Sequence, residues 1–76
     1  MAKEIQEALT ILRRKQVEAI TGLSRSAIYD KLDSKSPRHD PTFPKQVRIG
    51  WRSVGFIRAE VEEWLARCVA SSRGGK

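Results

Sequence analysis

A mainly α fold carrying one small β-hairpin is what the sequence predicts, on three observations. Two short apolar stripes at helical spacing flank Thr21-Gly22, and an alternating stretch surrounds Gly50-Trp51. Near the end, Val61, Trp64, Leu65 and Cys68 recur at i, i+3, i+4 and i+7. At 76 residues the chain has room for one small domain and none for a second. A core of this size leaves only about 3–5 kcal/mol of net stability unless a metal, disulfides or a partner adds to it. Cys68 is the sole cysteine and His39 the sole histidine, so neither an intrachain disulfide nor a Cys/His zinc shell is available. Apolar packing must carry the fold.

Residues 1–10 are taken as an N-terminal extension. Within it Ile5, Ala8, Leu9 and Leu12 have the spacing of a short amphipathic helix, while Thr10-Ile11-Leu12 suits a short strand equally well. A first helix of about two turns starts at Arg14, with Val17 and Ile20 as its apolar side, and stops at Thr21-Gly22 because glycine accepts positive φ. Leu23 is a buried plug. Ser24 caps a second helix running from about Arg25 to Leu32 or Asp33. Its stripe of Ala27, Ile28 and Leu32 faces inward, leaving Arg25, Ser26, Tyr29, Asp30 and Asp33 outward. Residues 34–44, with Pro37, Pro41 and Pro44, form a loop long enough to suggest that it touches something. A two-residue turn at Gly50-Trp51, of the type that wants glycine first, would pair Ile49 with Arg52, Arg48 with Ser53 and Val47 with Val54. That register puts Val47, Ile49, Val54 and Phe56 on one face of the hairpin. A third helix from about Ala59 to Ala70 closes the domain, with Trp64 and Cys68 in the core and Glu60, Glu62 and Glu63 near its positive end. The domain therefore spans 11–70, and 71–76 is expected to be a disordered C-terminal tail.

Fifteen Lys and Arg against nine Asp and Glu give a net charge of +6. Between residues 13 and 58 there are eleven basic and four acidic side chains, so the positive field belongs to the middle of the chain and points to a polyanionic partner. No stretch approaches the roughly 18–20 apolar residues of a membrane span, and the start lacks the apolar block of a secretory signal, so a cytoplasmic protein is expected. A metal constellation, a glycine-rich phosphate loop and a nucleophile beside a base are all missing, so the expectation is a protein with no catalytic activity and no cofactor.

Two helices around a tight turn, the second with polar outward residues, make a helix-turn-helix, and the hairpin after it makes a wing. A helix about 10–12 Å across matches the major groove of duplex DNA, where each base pair shows its own donor and acceptor pattern. The expected base readers are Arg25, which can hold a guanine edge with two bonds, Ser26, and Tyr29. Arg14, Lys15, Ser24, Lys31, Lys35, Arg38 and Lys45 are expected on the DNA backbone. Arg48, Trp51 and Arg52 are expected to carry the wing into the backbone or minor groove. Each position also has a plainer explanation. Arg25 can simply be a solvated charge, Tyr29 can cover the helix pair, Arg48 and Arg52 can guard an edge strand, and Trp51 can fold over the hairpin.

Three segments, Leu12 to Val17, Thr21 to Tyr29 and Phe43 to Gly50, resemble the AlpA family of phage-type regulators, and Arg52-Ser53-Val54-Gly55-Phe56 and Glu62-Glu63-Trp64-Leu65 extend the likeness over about residues 11–68. The resemblance implies a winged helix-turn-helix of the MerR-like and excisionase-like group that acts in transcription or in excision of a mobile element. It also implies that the second helix is the recognition helix. Ser36 to Pro41 lengthens the loop relative to compact members, and Trp51 stands where a smaller residue or proline is expected. The leading expectation is a sequence-specific transcriptional regulator of double-stranded DNA, with RNA polymerase or an integrase as protein partner and cooperative self-association on DNA. The alternatives are an excisionase that bends attachment-site DNA and a protein-interaction module whose basic face only keeps it soluble.

Overall fold

The computed structural model describes residues 10–74. In chain order these form β1 (Ile11–Leu12), α1 (Arg14–Thr21), α2 (Arg25–Leu32), β2 (Val47–Arg48), β3 (Val54–Ile57) and α3 (Arg58–Gly74). The strands make one antiparallel sheet in the order β1-β3-β2. Three helices on a small sheet, with a hairpin after the second helix, is the winged helix-turn-helix arrangement. Of the two alternatives at the start of the chain, the strand is realised at Ile11–Leu12, while Ile5, Ala8 and Leu9 lie outside the described residues.

The helix pair forms for local reasons. The Gln16 side chain accepts from the Arg13 backbone N–H at 2.7 Å, occupying one of the donors that a helix start leaves free. At the other end Gly22 takes φ 77° and its N–H donates to the Glu18 carbonyl, so the chain leaves α1 through a left-handed residue. The Thr21 hydroxyl donates to the Val17 carbonyl and accepts from the Leu23 N–H, which fixes the turn into α2. Ser24 then caps α2 by accepting from Ala27 N–H at 3.1 Å.

The core gathers Leu12, Val17, Ile28, Phe43, Phe56, Val61 and Trp64, with Leu23, Leu32 and Leu65 packed on its rim. Phe43 comes from the long loop. Its ring meets Trp64 edge to face at 4.9 Å between centroids and Phe56 at 6.1 Å. The loop is consequently a packed lid built of short turns, with Ser36 N–H on the Asp33 carbonyl, His39 N–H on Ser36 and Phe43 N–H on Asp40.

Three expectations need correction. The hairpin register is Val47 opposite Gly55 and Arg48 opposite Val54, one residue away from the expected pairing. A Gly-first two-residue turn needs positive φ at that glycine, and among the described residues only Gly22 has it. The chain instead turns through Gly50-Trp51-Arg52, with Ile49 and Gly50 N–H both donating to the Ser53 carbonyl. Phe56 anchors this register opposite Leu12 on the core side. On the other side a Cβ at Gly55 would collide with Ile11 Cγ2 and stand 2.9 Å from the Leu12 carbonyl oxygen, so only glycine fits there. Ile49 and Val54 are thereby left largely exposed. Second, Cys68 is exposed, one turn beyond Trp64 and Leu65, where α3 has left the core. Third, α3 runs past Ala70 to Gly74, so residues 71–74 are helical where a disordered tail was expected. Ala66 and Ala70 favour helix, and the i,i+4 pairs Arg58–Glu62 and Glu63–Arg67 add to it. No helix among the described residues is long and apolar enough to cross a membrane.

Candidate nucleic-acid interface

The outward side of α2 carries Arg25, Ser26 and Tyr29, all exposed, because Ile28 and Leu32 take the inward side one turn apart. The Arg25 guanidinium stands 5.7 Å from the centroid of the Tyr29 ring, so the cation and the aromatic lie together on the surface. Ser24 spends one lone pair on the cap and keeps its hydroxyl proton free to donate, which suits a phosphate oxygen. Asp30 shares this side and would repel phosphate. It is offset by Arg38 at 3.5 Å and by the Ser36 hydroxyl at 3.3 Å.

Between α2 and the wing lies a groove of about 310 Å³. Arg13, Arg14 and Lys15 line it from the start of α1, Tyr29 from α2, and Gln46 and Val54 from the base of the wing. The structure thus brings Arg14, Lys15 and Tyr29 together with Arg13 and adds one residue that the sequence does not point to, Gln46. Arg13 is signalled by the basic run Arg13-Arg14-Lys15, whereas Gln46 carries no charge and has no sequence signal. Arg14 is half-buried and ion-paired with Glu18, which leaves Arg13 and Lys15 as the exposed cations of the groove. At the wing tip Trp51 is 83% exposed, and the Arg52 guanidinium lies 4.7 Å from its ring centroid.

Other expected backbone residues sit elsewhere. Lys31 is on the inward-leaning side of α2, with its ammonium 5.5 Å from the centroid of Trp64. Lys45 lines a separate hollow in which Glu60 and Glu63 of α3 take part. Lys35 is exposed in the lid, where its backbone N–H donates to Asp33. Asp40 is the organiser of that lid. Its carboxylate accepts from the Thr42 hydroxyl at 2.6 Å, the Thr42 N–H at 2.9 Å and Trp64 Nε1 at 3.2 Å. Above all the Thr42 hydroxyl, and less the Thr42 N–H, Trp64 and the Lys31 charge, hold the carboxyl below the ordinary aspartate value, against a partial burial that pushes it up.

Comparison with known proteins fits this geometry. A DNA-binding transcriptional activator AlpA of Escherichia coli (strain K12) is 52% identical over 64 residues, covering 83% of this chain and 91% of that protein. An uncharacterized protein, ORF88, of Enterobacteria phage P4 is 34% identical over 64 residues, covering 84% of this chain and 66% of its own length. No solved structure matches the chain. Residues 10–69 match the family described as prophage CP4-57 regulatory protein (AlpA), and with that span inside its bounds the chain belongs to the AlpA family.

Proposed function

We propose that this protein is a sequence-specific, non-catalytic transcriptional regulator that reads duplex DNA with α2 in the major groove. The observation that carries the reading is the exposed Arg25, Ser26 and Tyr29 face beside a groove lined by Arg13, Arg14 and Lys15. With the helix seated on base edges, the neighbouring phosphate strand falls into that groove and the wing reaches past it. Arg48, Trp51 and Arg52 then meet the next backbone or the minor groove. The 52% identity to a DNA-binding transcriptional activator supports regulation as the task. A domain this small needs a larger machine to act, and RNA polymerase fits that role for an activator in the bacterial cytoplasm. An integrase would take its place in excision.

The test is selection of bound sequences from a random duplex pool, followed by titration of the winner over a range of salt. Arg25→Ala is expected to cost about 1–3 kcal/mol and to relax the preference at one base position. Lys15→Ala is expected to weaken all sequences alike and to reduce the slope of log K against log salt by about one. Absence of any preferred sequence in dilute buffer overturns the proposal. Mapping of the selected site to a promoter or to an attachment junction separates regulation from excision.

A further inference from the structure

Next to the core's rim, the side of α3 that faces the end of α1 is apolar past Trp64. Leu65, Ala66, Val69 and Ala70, with Ile20 at the end of α1, line a shallow hollow of about 600 Å³ that Glu62 and Arg73 border. Ile20 and Val69 are 39% and 42% exposed. Single exposed apolar side chains are ordinary, but these fall into one stripe. Along α3 the order is Glu62, Leu65, Ala66, Val69, Ala70, Arg73, an acid and a base enclosing large and small residues. Turned end over end about its midpoint, the pattern lands on its own complement. Glu62 falls on Arg73, Leu65 on Ala70 and Ala66 on Val69.

We propose that α3 packs antiparallel against α3 of a second copy of this chain, across a two-fold axis near the middle of that stripe. Each bulky side chain then fills the space left by an alanine, and two ion pairs close the ends. A two-fold contact requires such a self-complementary surface, and a parallel alignment would set Glu62 against Glu62. Glu62 already accepts from Arg58 Nε at 2.8 Å, and its carboxylate has a second oxygen for the second copy's Arg73. The surface shares no lining residue with the groove beside α2, so both can be occupied at once. Two α2 helices related by this axis would address inverted half-sites.

The interface is small, so association of the free chain is expected in the range of hundreds of micromolar, at about the weak end for specific contacts. The test uses the full chain without DNA, which keeps its outcome separate from that of the DNA proposal. Sedimentation equilibrium up to about 1 mM is expected to show the average mass rising toward twice that of the monomer. Glu62→Arg and Arg73→Glu are each expected to weaken association about tenfold, because each reverses two contacts per dimer. Mixing the two variants in equal amounts is expected to restore it, since one copy then presents two bases and the other two acids. Far-ultraviolet circular dichroism checks that each variant keeps its helix. A wild-type mass that stays monomeric, single variants that associate as before, or a mixture that fails to recover each overturns the proposal and assigns the stripe to another occupant.

Discussion

The lid and the wing tip are both irregular segments with an aromatic residue at their centre, yet the molecule treats them in opposite ways. In the lid, Phe43 is buried against Trp64 and Phe56, and Asp40 fastens the segment to α3 through Trp64 Nε1. In the wing tip, Trp51 is 83% exposed, with Arg52 against its ring. An exposed indole forgoes the burial that a marginal domain most needs. Its ring therefore adds little to the stability of the fold, whereas the long lid, through Phe43 and Asp40, is tied to the core.

The difference can be broken most forcefully at Phe43. Phe43→Ala removes a ring from a seven-residue core and is expected to cost about 3–5 kcal/mol, comparable with the whole stability of a domain this size. Thermal melting should show most of the cooperative transition lost at ordinary temperature. A stable variant would mean that the lid is an ornament.

Trp51→Ala should do the reverse. Its melting curve is expected to move by no more than about 0.5 kcal/mol, as for other exposed positions. DNA affinity should fall by about 1–3 kcal/mol if the indole stacks on a base or sugar. Equal affinity with unchanged stability would take the wing tip out of the interface.

This contrast also explains what was legible in the sequence. The helix pair was readable because its signals are local: Gly22 for the left-handed turn, Ser24 for the cap, and a short apolar stripe on each side. The lid was not readable in the same way. Three prolines and a length above the norm describe an irregular segment, but they say nothing of Phe43 reaching a tryptophan twenty-one residues on. The hairpin register failed because alternation alone allows either pairing, and the choice was made by tertiary contacts, Phe56 against Leu12 and the bare Cα of Gly55 under Ile11. Among site residues, Arg25, Ser26 and Tyr29 stand on the outward face as their spacing implies. For Lys31 and Lys45 the sequence signal is charge, which carries no direction, and they lie beside Trp64 and in a hollow with Glu60 and Glu63.

Acid gives a milder way to separate the two regions. The Asp40 carboxyl is held below its ordinary value chiefly by the Thr42 hydroxyl, so its ionised form stabilises the folded state. That contribution is complete above the unfolded value of about 3.9 and is lost as pH falls through the lower folded value. Asp40→Asn should lower stability near neutral pH by about 1 kcal/mol and flatten the loss of stability below about pH 4. The wing offers no counterpart, because residues 46–57 include no carboxylate. An unchanged acid limb in the variant would show that some other carboxylate governs it.

The smallest effect is expected at Lys31, which ties the reader helix to the lid. It belongs to the reader helix by sequence, but its ammonium lies over Trp64 and its carbonyl accepts from Asp40 N–H at 3.1 Å. Replacing it by glutamine keeps much of the aliphatic stem and the backbone bond while removing the cation over the ring, a loss of about 0.5–1 kcal/mol at a partly exposed site. If Lys31 serves the lid, Lys31→Gln lowers the melting temperature slightly and leaves the salt slope of DNA binding as it was. If the slope falls by about one, Lys31 reaches a phosphate after leaving Trp64, and the boundary between the stabilising and the binding side of the molecule runs through α2 itself.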